Sequence, residues 1–267
     1  MKVLLTGATG QLGQALIASK PPWVELIACP RAELDLASPE ACRAAVHAHG
    51  PDWVLNAGAY TAVDGAESEP ELAYAVNAGA PAAFAQALAS TGGRLLQLST
   101  DFVFSGGQGS PYKPEQPVDP IGVYGSTKAE AEAAALALPG ALVLRTSWLY
   151  GPVGHNFCCT MLRLHREREQ LGVVADQVGC PTSTATLVKA CWRAIGLQEG
   201  PRILHWSDTG VASWYDFAVA IGELGVQAGL LKRAARVKPL TTADYPTPAR
   251  RTSYSLLDCS VSRAALG

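Results

Sequence analysis

Gly7-Ala8-Thr9-Gly10-Gln11-Leu12-Gly13 stands between an apolar run, Lys2 to Leu5, and a segment, Gln11 to Ser19, whose apolar residues recur at helical spacing. A glycine-rich turn that ends a strand and opens a helix leaves few folding solutions. Glycine permits the tight turn and the close approach of backbone, and the free N–H groups of the helix beyond it attract a pyrophosphate. The pattern predicts the first βα unit of a doubly wound sheet, with Gly7, Gly10, Gln11, Leu12 and Gly13 as candidate contacts to a dinucleotide.

The same alternation continues along the chain. Strands are predicted over 24–28, 53–56, 94–98 and 141–145, and helices over 38–49, 73–90 and 124–137; Ser38 is a plausible N-cap with Pro39 at the first helical position. Strands apolar on both faces belong in a parallel sheet covered by helices. After Gly151-Pro152 the rhythm loosens into helices over 157–170, 184–196 and 214–224, short strands at 173–174 and 202–206, and a Pro- and Thr-rich loop over 238–251. The predicted fold class is α/β, a doubly wound parallel sheet of Rossmann type with a smaller C-terminal substrate-binding lobe. Residues 1–150 form the NAD(P)-binding domain, joined by later sheet elements near 183–224, and 151–182 with 225–267 form the lobe.

Composition narrows the partners. With 21 basic against 23 acidic residues and a net charge of -2, the chain has no global positive field for a phosphate backbone, so nucleic acid is not expected. No run reaches the roughly 18 apolar residues of a membrane span, and the N-terminal residues carry no secretory pattern. A soluble cytoplasmic protein is the expectation. Its 7 cysteines are odd in number, scattered and without C-x-x-C spacing, which predicts reduced core thiols and no metal site.

Ligands of such sheets lie at the carboxyl ends of the strands. The second strand ends in Ala28-Cys29-Pro30-Arg31, where an acidic residue would hold a ribose 2′-hydroxyl; Arg31 can instead meet a 2′-phosphate or remain a solvated charge. Asp35 and Leu36 would border the adenine, and Ala57, Gly58 and Ala59 would let backbone approach the cofactor. Ser99-Thr100-Asp101 ends the fourth strand. Tyr124 and Lys128, four apart at the start of a helix, share one face. A nearby ammonium and an oxidised nicotinamide would lower the phenol pKa and let Tyr124 protonate a carbonyl that receives hydride.

Together with Asn56 to Asp64, Ser99 to Phe104, Val123 to Lys128, Arg145 to Tyr150, Asn156-Phe157, Asp176 to Thr182 and Tyr245 to Arg251, these segments resemble the extended short-chain dehydrogenase/reductase family along nearly the whole chain. The resemblance implies Thr100, Tyr124 and Lys128 as the catalytic trio, with Tyr124 and Lys128 also touching the cofactor. It implies a sugar pocket lined by Val63, Asp101, Phe102, Val103 and Trp148. The implied reaction is NADPH-dependent reduction of the C4 ketone of dTDP-4-dehydro-L-rhamnose to dTDP-L-rhamnose, with NADH and a homodimer left open. Two departures stand out: Phe102 replaces a familiar tyrosine, and positions where some members hold magnesium through acidic residues read Ala15 and Ala185. The competing readings are a non-catalytic NADP-binding regulatory subunit, similar to the β subunit of methionine adenosyltransferase, and another nucleotide-sugar epimerase or reductase.

Overall fold

The computed structural model describes residues 1–267. Its first half runs β1 (Lys2–Thr6), α1 (Gln11–Ala18), β2 (Glu25–Cys29), α2 (Pro39–His49), β3 (Trp53–Asn56), α3 (Val63–Ser68), α4 (Pro70–Tyr74), α5 (Ala80–Thr91), β4 (Arg94–Thr100), α6 (Val123–Leu136) and β5 (Leu142–Thr146). The second half adds β6 (Leu149–Tyr150), α7 (Phe157–Glu167), β7 (Gln170–Val174), β8 (Val178–Gly179), β9 (Thr182–Ser183), α8 (Thr184–Gly196), β10 (Ile203–Trp206), β11 (Ala212–Ser213), α9 (Trp214–Gln227), β12 (Arg236–Leu240) and α10 (Ser260–Leu266).

Six parallel strands form the main sheet in the order β10-β5-β4-β3-β1-β2. Strand residues alternate between two cores, as the pleat requires. Val3, Leu5, Trp53, Leu55, Leu96 and Leu98 pack toward Leu16, Leu187 and Ile195 of α1 and α8. Leu4, Val54, Leu95 and Val143 pack toward Val46, Phe84, Leu88 and Ala135 of α2, α5 and α6. Strand order reverses between β1 and β3, and that switch point opens the crevice in which such folds bind ligands.

A third, smaller core joins Met161, Leu171, Val173, Ala218, Ile221 and Ala235. Here β7 and β12 pair in parallel across the α9 connection. The predicted loop over 238–251 therefore begins inside a strand. Arg236-Val237-Lys238 alternates for only three residues before Pro239 breaks the pattern, and Pro239 is tolerated because the pair has only edges. The strand predicted at 173–174 starts earlier, at Gln170, because the preceding helix stops at Glu167 and Arg168 is already extended. α9, grouped with the main sheet by the sequence reading, packs on α7, β7 and β12 instead. The helix predicted over 73–90 is interrupted by a π-turn, Ala75–Gly79. That turn aims the buried Asn77 at both backbone groups of Tyr60 and at the Thr127 hydroxyl.

Candidate active site

The turn after β1 has the shape its glycines predict. Gly7 has φ +65°, and a Cβ there would lie 2.7 Å from the backbone of Gly58, so only glycine fits. α1 then begins at Gln11 behind Gly10, with no side chain capping its first turn, which leaves those N–H groups free for an anion. Gly7, Gly10, Gln11, Leu12, Gly13, Arg31, Asp35, Leu36, Ala57, Gly58 and Ala59 all line one cleft of about 840 Å³. Arg31 is exposed on its rim and makes no hydrogen bond or ion pair within the chain. An extended dinucleotide matches this cradle: a glycine turn, an uncapped helix start, and a free guanidinium beyond the second strand.

The same cleft receives Thr100, Asp101, Phe102, Tyr124, Lys128, Val63 and Trp148. Tyr124 and Lys128 come from the first turns of α6, whose start is fixed by Glu67, accepting from the Val123 N–H at 2.9 Å. α6 approaches the end of β4 very closely: a Cβ on Gly125 would lie 2.2 Å from the Phe102 carbonyl oxygen. That contact brings the Tyr124 ring edge-on to Phe102, at 5.6 Å and 77°. The Lys128 ammonium donates to the Leu98 carbonyl at 2.6 Å. Burial lowers its pKa to about 8, against the opposing pull of Glu132.

The phenol departs from the sequence-based expectation. Its pKa is pushed up to about 12, first by burial and then by the Asp101 carboxylate. Lys128 directs its charge at Leu98 and does not lower it in the ligand-free chain. Tyr124 is thus held as the protonated phenol. Thr100 Oγ1 donates to Asp101 Oδ1 at 2.9 Å and accepts from the Phe102 N–H at 3.2 Å. A hydroxyl has one proton, so Thr100 faces the cleft as an acceptor while Asp101 is ionised. Burial raises the Asp101 pKa to about 6, and its Oδ2 has no hydrogen-bond partner.

Val103, expected in the sugar pocket, does not line the cleft. It is fully buried against Phe104, Tyr112 and Leu257, because residues 101–103 form a 3-10 turn that points successive side chains in different directions. The cleft also holds residues that the sequence reading did not single out. Trp214 at the start of α9 stacks on Trp148 with centroids 3.6 Å apart and planes 6° from parallel. Trp148 is the one non-glycine residue at positive φ, +48°, a strained conformation held by that stack. Arg251 pairs with Asp64 at 2.7 Å and lies over the Phe102 ring. Tyr60, Thr61, His155 and Thr9 complete much of the wall. No local pattern marks Trp214; Arg251 ends the Tyr245 to Arg251 segment, far from the glycine turn in sequence.

A family model described as the RmlD substrate binding domain matches residues 1–267. The chain belongs to the RmlD family. The dTDP-4-dehydrorhamnose reductase of Aggregatibacter actinomycetemcomitans is 38% identical over 274 residues, spanning 100% of this chain and 93% of that relative. The crystal structure of a dTDP-4-dehydrorhamnose reductase from Clostridium acetobutylicum superposes with a TM-score of 0.93 at 39% identity, covering 100% of this chain and 93% of that one. The Bacillus anthracis enzyme, solved in complex with NADP, gives a TM-score of 0.91 at 34% identity, covering 98% and 92%. The family match runs along the whole of this chain, and its glycine turn, Thr100, Tyr124 and Lys128 meet in a single cleft.

Proposed function

We propose that this chain reduces the C4 ketone of dTDP-4-dehydro-L-rhamnose to dTDP-L-rhamnose with NADPH. The observation that carries the proposal is the convergence of Thr100, Tyr124 and Lys128 on the cleft that the Gly7 turn and α1 open. Bound in that cradle, NADPH supplies the hydride. The N–H groups of the α1 start hold the pyrophosphate, Arg31 meets the 2′-phosphate, and Lys128 holds the nicotinamide ribose. Tyr124 gives its phenolic proton to the C4 oxygen as charge develops there; a phenol held near 12 is still far more acidic than a secondary alcohol, so the transfer is downhill. Thr100 orients the substrate or the phenol as an acceptor, with its proton committed to Asp101. Val63, Phe102, Trp148 and the second lobe, with α9 and its Trp214 counted in that lobe, provide the sugar-side wall.

The intact trio favours catalysis over a purely regulatory NADP-binding role. No helix is long and apolar enough to cross a membrane, and the 7 cysteines are all free, in keeping with a cytoplasmic setting. The test is direct: purified chain, NADPH and dTDP-4-dehydro-L-rhamnose, following NADPH oxidation at 340 nm and the product by NMR. Stoichiometric dTDP-L-rhamnose is expected. NADPH binding without turnover would favour the regulatory reading.

A further inference from the structure

β3 ends at Asn56, opposite Gln97 of β4, so no β3 residue lies beside the Leu98 carbonyl that Lys128 uses. The register places three polar side chains in one transverse row: Thr6 is paired with Asn56, and Asn56 with Gln97. All three are 1% exposed, on the sheet face that α5 and α6 cover. Their hydrogen bonds run in a single direction. The Gly58 N–H donates to Thr6 Oγ1 at 2.9 Å, Thr6 Oγ1 to Asn56 Oδ1 at 2.6 Å, Asn56 Nδ2 to Gln97 Oε1 at 2.7 Å, and Gln97 Nε2 to the Leu98 carbonyl at 2.7 Å. The last acceptor in the row is thus the first acceptor of the catalytic ammonium. Because the Leu98 carbonyl can only accept, Gln97 must present Nε2 to it, and that choice fixes Asn56 and then the Thr6 hydroxyl in orientation.

We propose that Gln97 is a positioning residue for Lys128, and that the Thr6–Asn56–Gln97 row ties the cofactor-cradling turn at Gly58 to the lysine at the other end of the site. This rests on the cofactor reading given above. Leu98 projects its carbonyl past the end of β3, and without Gln97 that carbonyl loses its one side-chain donor other than the lysine itself. An apolar side chain at 97 would also leave Asn56 Nδ2 without its acceptor, freeing the amide to turn. The lysine would then keep its charge and lose its fixed place.

The measurement is NADPH affinity by fluorescence titration of the full chain, in a double-mutant cycle of Gln97→Met with Lys128→Met, with thermal unfolding of every variant alongside. Gln97→Met is expected to weaken NADPH binding about tenfold when Lys128 is present, and less than twofold when position 128 is already methionine. A Gln97 that only supports the fold weakens binding by the same factor in both backgrounds, and that result overturns the proposal. Unchanged affinity in the Lys128-containing background overturns it as well. If Gln97→Met does not fold, Gln97→Asn, one methylene too short to reach the Leu98 carbonyl, enters the same cycle with the same criteria. Parent protein that fails to bind NADPH would sink the cofactor reading together with this one, whereas a parent that binds and a cycle without coupling sinks this one alone.

Discussion

Asp101 is buried and Arg31 exposed, and each placement has a measurable consequence. Asp101 is 1% exposed with one carboxylate oxygen unpaired, and its pKa rises from 3.8 to about 6. Ionising it inside the fold is unfavourable, so the stability present below about pH 4 is lost as pH rises through about 6. Asn cannot ionise. The unfolding free energy of Asp101→Asn relative to the parent should therefore climb by about 1–3 kcal/mol between pH 4 and 7 in urea titrations; a difference that stays flat would mean the carboxylate is not desolvated. Arg31, exposed and unpaired at the cleft rim, has no such cost to overcome. A charge-assisted contact with a 2′-phosphate, as proposed for Arg31, would be worth about tenfold, so Arg31→Ala should cut the NADPH-over-NADH ratio of kcat/KM by that factor. Equal ratios in parent and variant would leave Arg31 as a surface charge.

At the scale of elements, α6 brings Tyr124 and Lys128 to the cleft and a buried ion pair anchors it. Glu132, one turn beyond Lys128, takes both Arg145 Nε and Nη2 at 2.8 and 2.6 Å and accepts from Ser99. Arg145 also reaches the Pro114 carbonyl and His205, tying α6 to β5, β10 and the 105–122 connection. Arg145→Met should destabilise the chain by about 3–5 kcal/mol, because Glu132 is left buried and unpaired, while the double change Arg145→Met with Glu132→Leu should recover much of that loss. Equal destabilisation of single and double variants in urea unfolding would contradict this. Such a pair is invisible in sequence, since nothing local links Glu132 to Arg145. What sequence does reveal is local: the Gly7 turn, the Ser38 cap and the four-residue step from Tyr124 to Lys128 each depend on near neighbours. β12 was hidden because its alternation spans only three residues and ends at Pro239, and the placement of Val103 because a 3-10 turn departs from the strand's alternation.

On the scale of the whole molecule, the main sheet supplies the cofactor cradle and the second lobe reaches across it with Trp214, which locks the strained Trp148 into the wall. Trp214→Ala should raise KM for the ketosugar roughly threefold to tenfold and leave NADPH affinity unchanged, as expected if the stack shapes only the sugar side. Parallel weakening of both ligands would show instead that the lobe supports the cleft as a unit. In the proposed mechanism all these parts would serve one event, proton delivery by the phenol of Tyr124 into the ketone. Tyr124→Phe keeps the ring and its edge contact with Phe102 and removes only the acid. The most direct measurement is single-turnover hydride transfer by Tyr124→Phe at saturating NADPH and dTDP-4-dehydro-L-rhamnose. The rate should fall by about 10²- to 10⁴-fold with NADPH affinity near the parent value, and a rate within about threefold of the parent would contradict the assignment of Tyr124 as the proton donor.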